Sequence, residues 1–277
     1  MTVEGNLPVI VYRVGSSQIH SVFVPDTEEY DAAITIFDVY LNRCAIPLGS
    51  FVIPRYAVLP YYQELEKDLA LMDCKLINTF AEHRYVADIA NYYPDIKDLT
   101  PKTWINAWVN APEGAYVVKG RTNSRKNNWN RMMFAKDRAT VPIVVGRLLE
   151  DTYIAEQQLV IREYIPLETF GYGINGVPIA NEWRFFILDG KVLVGGFYWS
   201  IEPDLCPTID PMAPPEGATQ LAGEVAERLR DKIRFFVVDV ARTDKRDWIV
   251  IELNDGSQSG LSMIDPLVFY KKLRARF

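Results

Sequence analysis

"DWIVIELNDGSQSGL", residues 247–261, sets the apolar run Trp248 to Ile251 directly before Glu252, Asn254 and Asp255, then continues into a loop of glycine and serine. A short apolar run bounded by polar residues reads as a buried strand. A carboxylate at the end of such a strand sits at the edge of a core, where charge is costly unless something meets it. Residues two apart on a strand share a face, so Glu252 and Asn254 point the same way. The stretch before it, RFFVVDVA (234–241), is a second strand, joined through the turn RTDKRD. If the two pair antiparallel, Asp239 lies across from Glu252 and Asn254. The three form a set of hard oxygen donors without histidine or cysteine, the kind Mg²⁺ takes alongside phosphate oxygens. Facing one another unpaired they would repel, and a divalent cation resolves that repulsion. Spacing alone equally allows strand-end caps or pairing with a nearby arginine.

Upstream, EWRFFIL (182–188) and KVLVGGFYW (191–199) are two strands joined by Asp189-Gly190, a type I′ hairpin signal. Glu182 and Arg184 share one strand face, where Arg184 can clamp a phosphate or a carboxylate. Leu221, Val225, Leu229 and Ile233 mark a helix stripe, and EPDLCPTIDPMAPPEG (202–217) reads as surface loop. REYIPLE (162–168) is a strand stopped by Pro166. Unpaired backbone groups before the proline can read an adenine edge, with Glu163 or Glu168 on its amine or on a ribose; an ordinary strand exit is the alternative. AYVVKG (115–120) ends an apolar strand on Lys119, which can reach a phosphate or simply snorkel to solvent. Beyond it, Arg121, Arg125, Lys126 and Arg131 punctuate a polar loop containing no acid, open enough to be mobile until an anion orders it. GYGING (171–176) fits G-x-G-x-x-G, but a strand follows where a dinucleotide site needs a helix. GSQSG (256–260) is not the G-x-S-x-G nucleophile elbow.

The first hundred residues read as a small α/β domain. Strands are expected at 9–14, 18–24 and 50–55, a helix over 28–43, and a second helix through Tyr61, Leu65, Leu69 and Met72 that leads to a strand in CKLINTF. Thr100-Pro101 then predicts an N-cap opening a helix over PKTWINAW (101–108), a domain boundary.

Composition narrows the classes. The 277 residues carry a net charge of −6, which argues against a whole-protein nucleic-acid or anionic-membrane binder. Cys44, Cys74 and Cys206 lie far apart, and His20 and His83 are the only histidines, so a His/Cys zinc site is not expected. Sparse cysteine, a start without a basic n-region and no apolar run near about 18 residues point to a cytoplasmic protein.

In chain order, the strand-end lysine of VVKG, the hinge EYIP, the Glu-x-Arg strand, and Asp239 followed by E-x-N resemble the ATP-grasp superfamily over about residues 101–277. VVDVARTDKRDWIVIELNDG is the most specific part. FVIPRYAVLPYYQELEKDL, EHRYVADIANYY and LTPKTW resemble a clade of that superfamily common in phages and bacteria, whose members are predicted amidoligases. The resemblance implies an α/β (α+β) ATP-grasp fold, two α+β subdomains (101–165 and 166–277) gripping ATP behind an N-terminal domain (1–100). It implies Lys119 and Lys126 on ATP phosphates, Glu163, Tyr164 and Ile165 on adenine, and Glu168 and Glu182 on the ribose side. Arg184, with Lys119, would act on the transferred phosphoryl group. Asp239, Glu252 and Asn254 would hold Mg²⁺ (Mn²⁺ substituting), and Ser257, Ser259 and Gly260 would form the substrate loop. The loop after Lys119 is more basic and less glycine-rich than in many such enzymes. The implied reaction is ATP-dependent joining of a small-molecule or peptide carboxylate to an amine through an acyl-phosphate, releasing ADP and phosphate. A small-molecule kinase and a non-catalytic nucleotide-binding module are the alternatives. Nucleic-acid ligation is disfavoured by the absence of K-x-D-G.

Overall fold

The computed structural model describes residues 7–12, 15–16, 22–23, 27–58, 61–105, 107–152, 154–200 and 208–277. His20, Cys206 and most of the strand expected at 18–24 lie outside them. The N-terminal elements are β1 (Val9–Val11), β2 (Gly15–Ser16), β3 (Val22–Phe23), α1 (Thr27–Ile34), β4 (Val39–Tyr40), β5 (Phe51–Pro54), α2 (Tyr62–Ala70), β6 (Lys75–Leu76), α3 (Phe80–Ala87) and α4 (Ile89–Ile96). Strands β4-β1-β5-β6 form a parallel sheet, which is why Val9, Ile10 and Val11 are all buried rather than alternating. Gly15–Ser16, expected in a turn, instead pair with Val22–Phe23. The helix expected over 28–43 stops at Ile34, and Val39-Tyr40, β-favouring residues, join the open edge of β1. The strand in CKLINTF shortens to two residues because Thr79 and Glu82 close a capping box that starts α3.

A second sheet, β7-β10-β8-β9, is antiparallel and backed by α5. It comprises β7 (Thr103–Ile105), β8 (Tyr116–Gly120), β9 (Phe134–Ala135), α5 (Val141–Leu148) and β10 (Leu159–Glu163). The helix expected over PKTWINAW is absent: Thr103-Trp104-Ile105 is an edge strand on β10. Thr100 does not cap a helix. Its hydroxyl donates to the Val250 carbonyl, 2.8 Å away. The β-branched and aromatic residues fit the unpaired edge of β10, so tertiary pairing overrides the local cap signal.

The third sheet holds the rest: β11 (Thr169–Tyr172), β12 (Pro178–Ala180), β13 (Glu182–Leu188), β14 (Lys191–Phe197), α6 (Glu216–Leu229), β15 (Phe235–Arg242), β16 (Trp248–Asp255) and α7 (Pro266–Arg274). Strands β14-β13-β15-β16 pair antiparallel throughout, and the β13–β14 turn has positive φ at both Asp189 (50°) and Gly190 (70°), as a type I′ turn requires. One sheet face buries Phe236, Val238, Val240 and Val250 against α6 and against Val86, Ile89, Tyr92 and Ile96 of α3 and α4. These two helices, N-terminal to the expected boundary, therefore share the core of the C-terminal sheet. The opposite face is divided. Its lower half, Phe186, Phe235 and Val237, packs with Ile10 and Ile53 of the N-terminal sheet and Phe269 of α7; its upper half carries Arg184, Asp239 and Glu252.

The GYGING turn leads into β12, a strand as expected. Gly176 (φ 78°) sits so close to the Asn130 side chain that a Cβ would lie 2.2 Å from it, and Asn175 donates to the Asn127 carbonyl at 2.6 Å. The motif thus braces residues 126–133. Among the described residues, no helix is long and apolar enough to cross a membrane.

Asn78 joins two of the sheets. Fully buried, it donates to the Phe235 carbonyl (2.6 Å) and to Asp255 (3.1 Å), and accepts from the Phe235 N–H (2.9 Å). Asn78→Ala leaves both backbone groups of Phe235 short of a partner. A loss of about 3 kcal/mol in unfolding free energy is expected, read as a lower denaturant midpoint at unchanged slope. A loss below about 1 kcal/mol would show that water replaces the amide.

Candidate active site

The antiparallel sheet of β7–β10 and the upper half of the C-terminal sheet face each other across a cleft of about 830 Å³. Val117 and Lys119 of β8, Glu163, Tyr164 and Ile165 beyond β10, Glu182 of β13, and Ile249, Ile251 and Glu252 of β16 line it. A second space of about 740 Å³, bounded by Thr122 to Arg125, Glu252 and Asn254, adjoins it at Ser124 and Glu252. An apolar compartment thus meets a polar one at the Glu252 carboxylate.

Register explains the charges. Arg184 pairs with Asp239, and Asp239 with Glu252, so the three stand in one row across β13, β15 and β16. Arg184 clamps the fully buried Asp239 with two bonds of 2.9 and 2.8 Å and donates a third to the Gly260 carbonyl at 2.9 Å. Lys119 reaches across the cleft to an ion pair with Glu252. The repulsion expected between carboxylates is thereby relieved by two cations. Burial acts to raise the Glu252 carboxyl, but Lys119 and then Lys126 overturn this and bring it down to about 2. Burial lowers the Lys119 ammonium.

Lys126 stands 3.8 Å from Glu182, donates to the Tyr198 hydroxyl at 2.8 Å, and lies 4.3 Å from the centre of that ring. Burial works against its charge, yet Glu182 and Tyr198 hold it protonated well above the usual lysine range. Burial pushes Glu182 up to about 7 despite Lys126, with Asp239 adding to the rise. Glu182 Oε1, Trp199 Nε1 and Arg162 Nε are buried along the cleft without a hydrogen-bond partner among the described residues. Three unmatched polar atoms in one mostly apolar cleft mark a ligand site.

The expected residues fall into three groups. Lys119, Lys126, Glu163, Tyr164, Ile165, Glu182 and Glu252 line the main cleft, Asn254 the adjoining one, and Arg184 and Asp239 stand beside Glu252. Glu168 is turned away, accepting from Asn181 (2.8 Å) and Arg242 (3.5 Å), while Leu167 takes the place in the lining. The loop 256–260 is built largely from internal bonds: Ser257 N–H donates to Asp255 (2.7 Å) and Ser259 Oγ to the Asp255 carbonyl (2.8 Å).

Two expectations need correction. The N–H groups of Glu163 and Tyr164 are not free at the hinge; they donate to the carbonyls of Lys102 (2.8 Å) and Ala115 (2.9 Å). The basic loop is not an open run of free cations. Arg121 pairs with Asp88 (2.8 Å) and Arg125 with Asp151 (2.6 Å), and residues 126–133 form short helical turns. The acids come from α4's N-cap and from beyond α5, which a local window does not reveal.

Sequence reasoning missed Arg55 and Arg162. Arg55, buried at the end of β5, donates to the carbonyls of Gly256 (2.5 Å) and Ser259 (2.8 Å) while Glu29 accepts from its Nε at 2.8 Å. Its only local signal is an arginine directly after an apolar strand and proline. Arg162 directly precedes Glu163 in REYIP, where strand alternation gave no reason to single it out.

The donor set also bears on a metal. Among the described residues, no three His, Cys, Asp or Glu side chains gather into a metal cage. Mg²⁺ bound with a nucleotide does not require one, since one or two carboxylates plus phosphate oxygens and water complete its shell. Asp239 and Glu252, opposite in register with Asn254 two residues on, fit that requirement.

A family model described as an "ATP-grasp domain" matches residues 107–273. The chain belongs to the ATP-grasp family. Its fold is ATP-grasp, of mixed α+β type, and solved structures agree over nearly the whole length. D-cycloserine synthetase DcsG superposes with a TM-score of 0.60 at 14% identity, covering 97% of this chain and 99% of that one. D-alanine–D-alanine ligase from Bacillus anthracis, complexed with ATP, gives 0.57 at 14%, covering 98% and 99%. A RimK-domain ATP-grasp protein from Sphaerobacter thermophilus gives 0.57 at 15%, covering 95% and 98%. No curated protein matches the sequence. At these identities the likeness concerns the ATP-grasp fold.

The raised Glu182 carboxyl has a consequence for stability. Its ordinary value is 4.5 and its folded value about 7, so the folded ATP-grasp protein holds a proton between these pH values that the unfolded chain has released. Stability from this group is therefore lost as pH rises through that window. Glu182→Gln removes the titration. The free energy of the variant minus that of the native protein is expected to move in the variant's favour from about pH 5 to about pH 8, as measured by denaturant unfolding. A difference independent of pH would show that Glu182 titrates as an exposed carboxyl.

Proposed function

We propose that this protein is an ATP-dependent carboxylate–amine ligase. The observation that carries the reading is the row Arg184–Asp239–Glu252, facing Lys119 where the apolar cleft meets the polar one. Adenine fits the apolar compartment against Tyr164 and Ile165, with Glu182 at the ribose and the triphosphate running toward Glu252. Lys119 and Lys126 offset phosphate charge, which positions the γ-phosphoryl group without a protein nucleophile. Asp239, Glu252 and Asn254 are the residues to hold Mg²⁺, which when bound supplies neutralisation of charge on the transferred group. The names of the fold relatives, a synthetase and a ligase, support a reaction of this kind.

In the first step a carboxylate oxygen of the substrate attacks the γ-phosphorus as the bond to the β–γ bridging oxygen breaks, and ADP leaves. Arg184, held against Asp239 and the Gly260 carbonyl, stands where the loop 256–260 presents the acceptor. An amine then attacks the acyl carbon, inorganic phosphate leaves, and the amine proton passes to phosphate or solvent. The N-terminal domain, residues 1–100, contributes through Arg55, which sets the Gly256 and Ser259 carbonyls and so the shape of that loop. The proposed partners are small-molecule or peptide carboxylates and amines, and the proposed location is the cytoplasm, where ATP is supplied.

Incubation with Mg–ATP and pools of amino acids and small carboxylates, followed by mass spectrometry, tests the reaction: ADP, phosphate and a new amide mass are expected. AMP with pyrophosphate would overturn it, and a stable phosphorylated product would make the protein a kinase. Glu252→Gln is expected to lower ADP formation on the order of 100-fold. It is also expected to lower the melting temperature of the ligand-free protein, because buried Lys119 loses its counter-charge. Retained activity would remove Glu252 from the machinery.

A further inference from the structure

Strict strand alternation does not put Glu252 in the cleft. With Val250 buried in the core, residues 252 and 254 would follow it inward, and Ile251 and Leu253 would face the nucleotide. The structure departs from this at one place. Asp239 pairs with Glu252 but Val240 with Val250, so Ile251 has no opposite residue and β16 bulges. Ile251 and Glu252 consequently both line the cleft, while Val250 and Leu253 are buried on the other face. The direction of the Glu252 carboxylate is a property of this bulge.

A bulge leaves backbone groups out of the ladder, and here side chains from outside the sheet hold them. Arg162 Nη1 donates to the Ile251 carbonyl at 2.5 Å, and its Nη2 to Thr100 Oγ1 at 2.6 Å. Thr100 Oγ1 donates in turn to the Val250 carbonyl at 2.8 Å, and the Val250 N–H donates to the Leu99 carbonyl at 2.8 Å. One guanidinium and one hydroxyl thus grip the two carbonyls that flank the register shift. Arg162 is only 7% exposed, and its hydrogen-bond acceptors are a carbonyl and a hydroxyl. Burying a guanidinium on neutral partners is costly, so its place there implies a gain elsewhere.

We propose that Arg162, acting with Thr100, is a positioning residue that holds the bulge at Ile251 and thereby aims Glu252 at the metal ion of a bound nucleotide. This rests on the reading above that Glu252 holds Mg²⁺. Arg162 also borders the cleft, so direct contact with the nucleotide is the competing role; Thr100 is absent from the cleft lining and separates the two.

Calorimetric titration with the non-hydrolysable β,γ-imido analogue of ATP, in excess Mg²⁺ and again in EDTA, tests the proposal without any acceptor substrate. The native protein is expected to bind more tightly with Mg²⁺. Thr100→Val and Arg162→Lys are each expected to lose about 10-fold of affinity in Mg²⁺ while staying within about twofold of native in EDTA, and Thr100→Ser, which keeps the hydroxyl, is expected to match native. Should Arg162→Lys fail to fold, the threonine pair decides alone. Equal losses with and without Mg²⁺ would overturn the proposal in favour of direct nucleotide contact, and no loss in either would mean that the bulge holds itself. If Glu252→Gln abolishes the Mg²⁺ gain and Thr100→Val does not, the ligase reading stands and the positioning role falls. If the native protein shows no Mg²⁺ gain at all, the metal role of Glu252 falls, and this proposal with it.

Discussion

The antiparallel pairing of β15 with β13 on one side and β16 on the other is the constraint on which the site depends. It stacks Arg184, Asp239 and Glu252 in a single row. A row of ionised groups on a sheet face is tolerable only if charges alternate and each polar atom finds a partner. Arg184 meets this for Asp239 with two parallel bonds, and Lys119 meets it for Glu252 from across the cleft. The ion pair between Lys119 and Glu252 also fastens the β7–β10 sheet to the C-terminal one, so the element that closes the cleft and the element that charges it are the same contact.

The rest of that sheet face shows how the charged row is supported. Immediately below it Phe186, Phe235 and Val237 are sealed by the N-terminal sheet and α7. Arg55 bridges the two zones: its guanidinium lies 5.7 Å from the Phe186 ring centre and 5.4 Å from that of Phe269, while its nitrogens hold the 256–259 turn. Glu29, backed by Tyr270 (2.9 Å), anchors it. Burying so many polar groups is sustainable because they satisfy one another, and the cost of losing any member falls on the others. The unmatched polar atoms gather in the cleft instead, at Glu182, Trp199 and Arg162. The fold is saturated where it must be rigid and unsaturated where a ligand fits.

Much of this was legible beforehand. The third sheet, its type I′ turn, the late strand pair and the stripe of α6 follow from period-two and period-3.6 patterns that residues a few positions apart impose on their own backbone. The misreadings lie where a distant partner outweighed a local preference. PKTWINAW carried a cap signal yet became a strand because β10 offered an open edge. Residues 39–40 left an expected helix for the edge of β1. Arg121 and Arg125 looked like free cations because their acids, Asp88 and Asp151, stand elsewhere in the chain.

By itself, the sequence determined which chemical groups arrive at strand ends and in what order: Lys119, the EYIP hinge, Glu182 with Arg184, Asp239, then Glu252 and Asn254. Each of these is a local fact, an apolar run followed by a residue whose charge resists burial. Only the tertiary structure decided what each group faces. Lys119 and Glu252 are 133 residues apart, and nothing within a strand's length announces their pairing. The bulge at Ile251 breaks the alternation from which facing is normally read, and it persists because Arg162 and Thr100, from two other parts of the chain, hold its carbonyls. Side-chain periodicity is a property of one strand, whereas register and charge pairing belong to the contact between strands, so these emerge only when the chain has closed on itself.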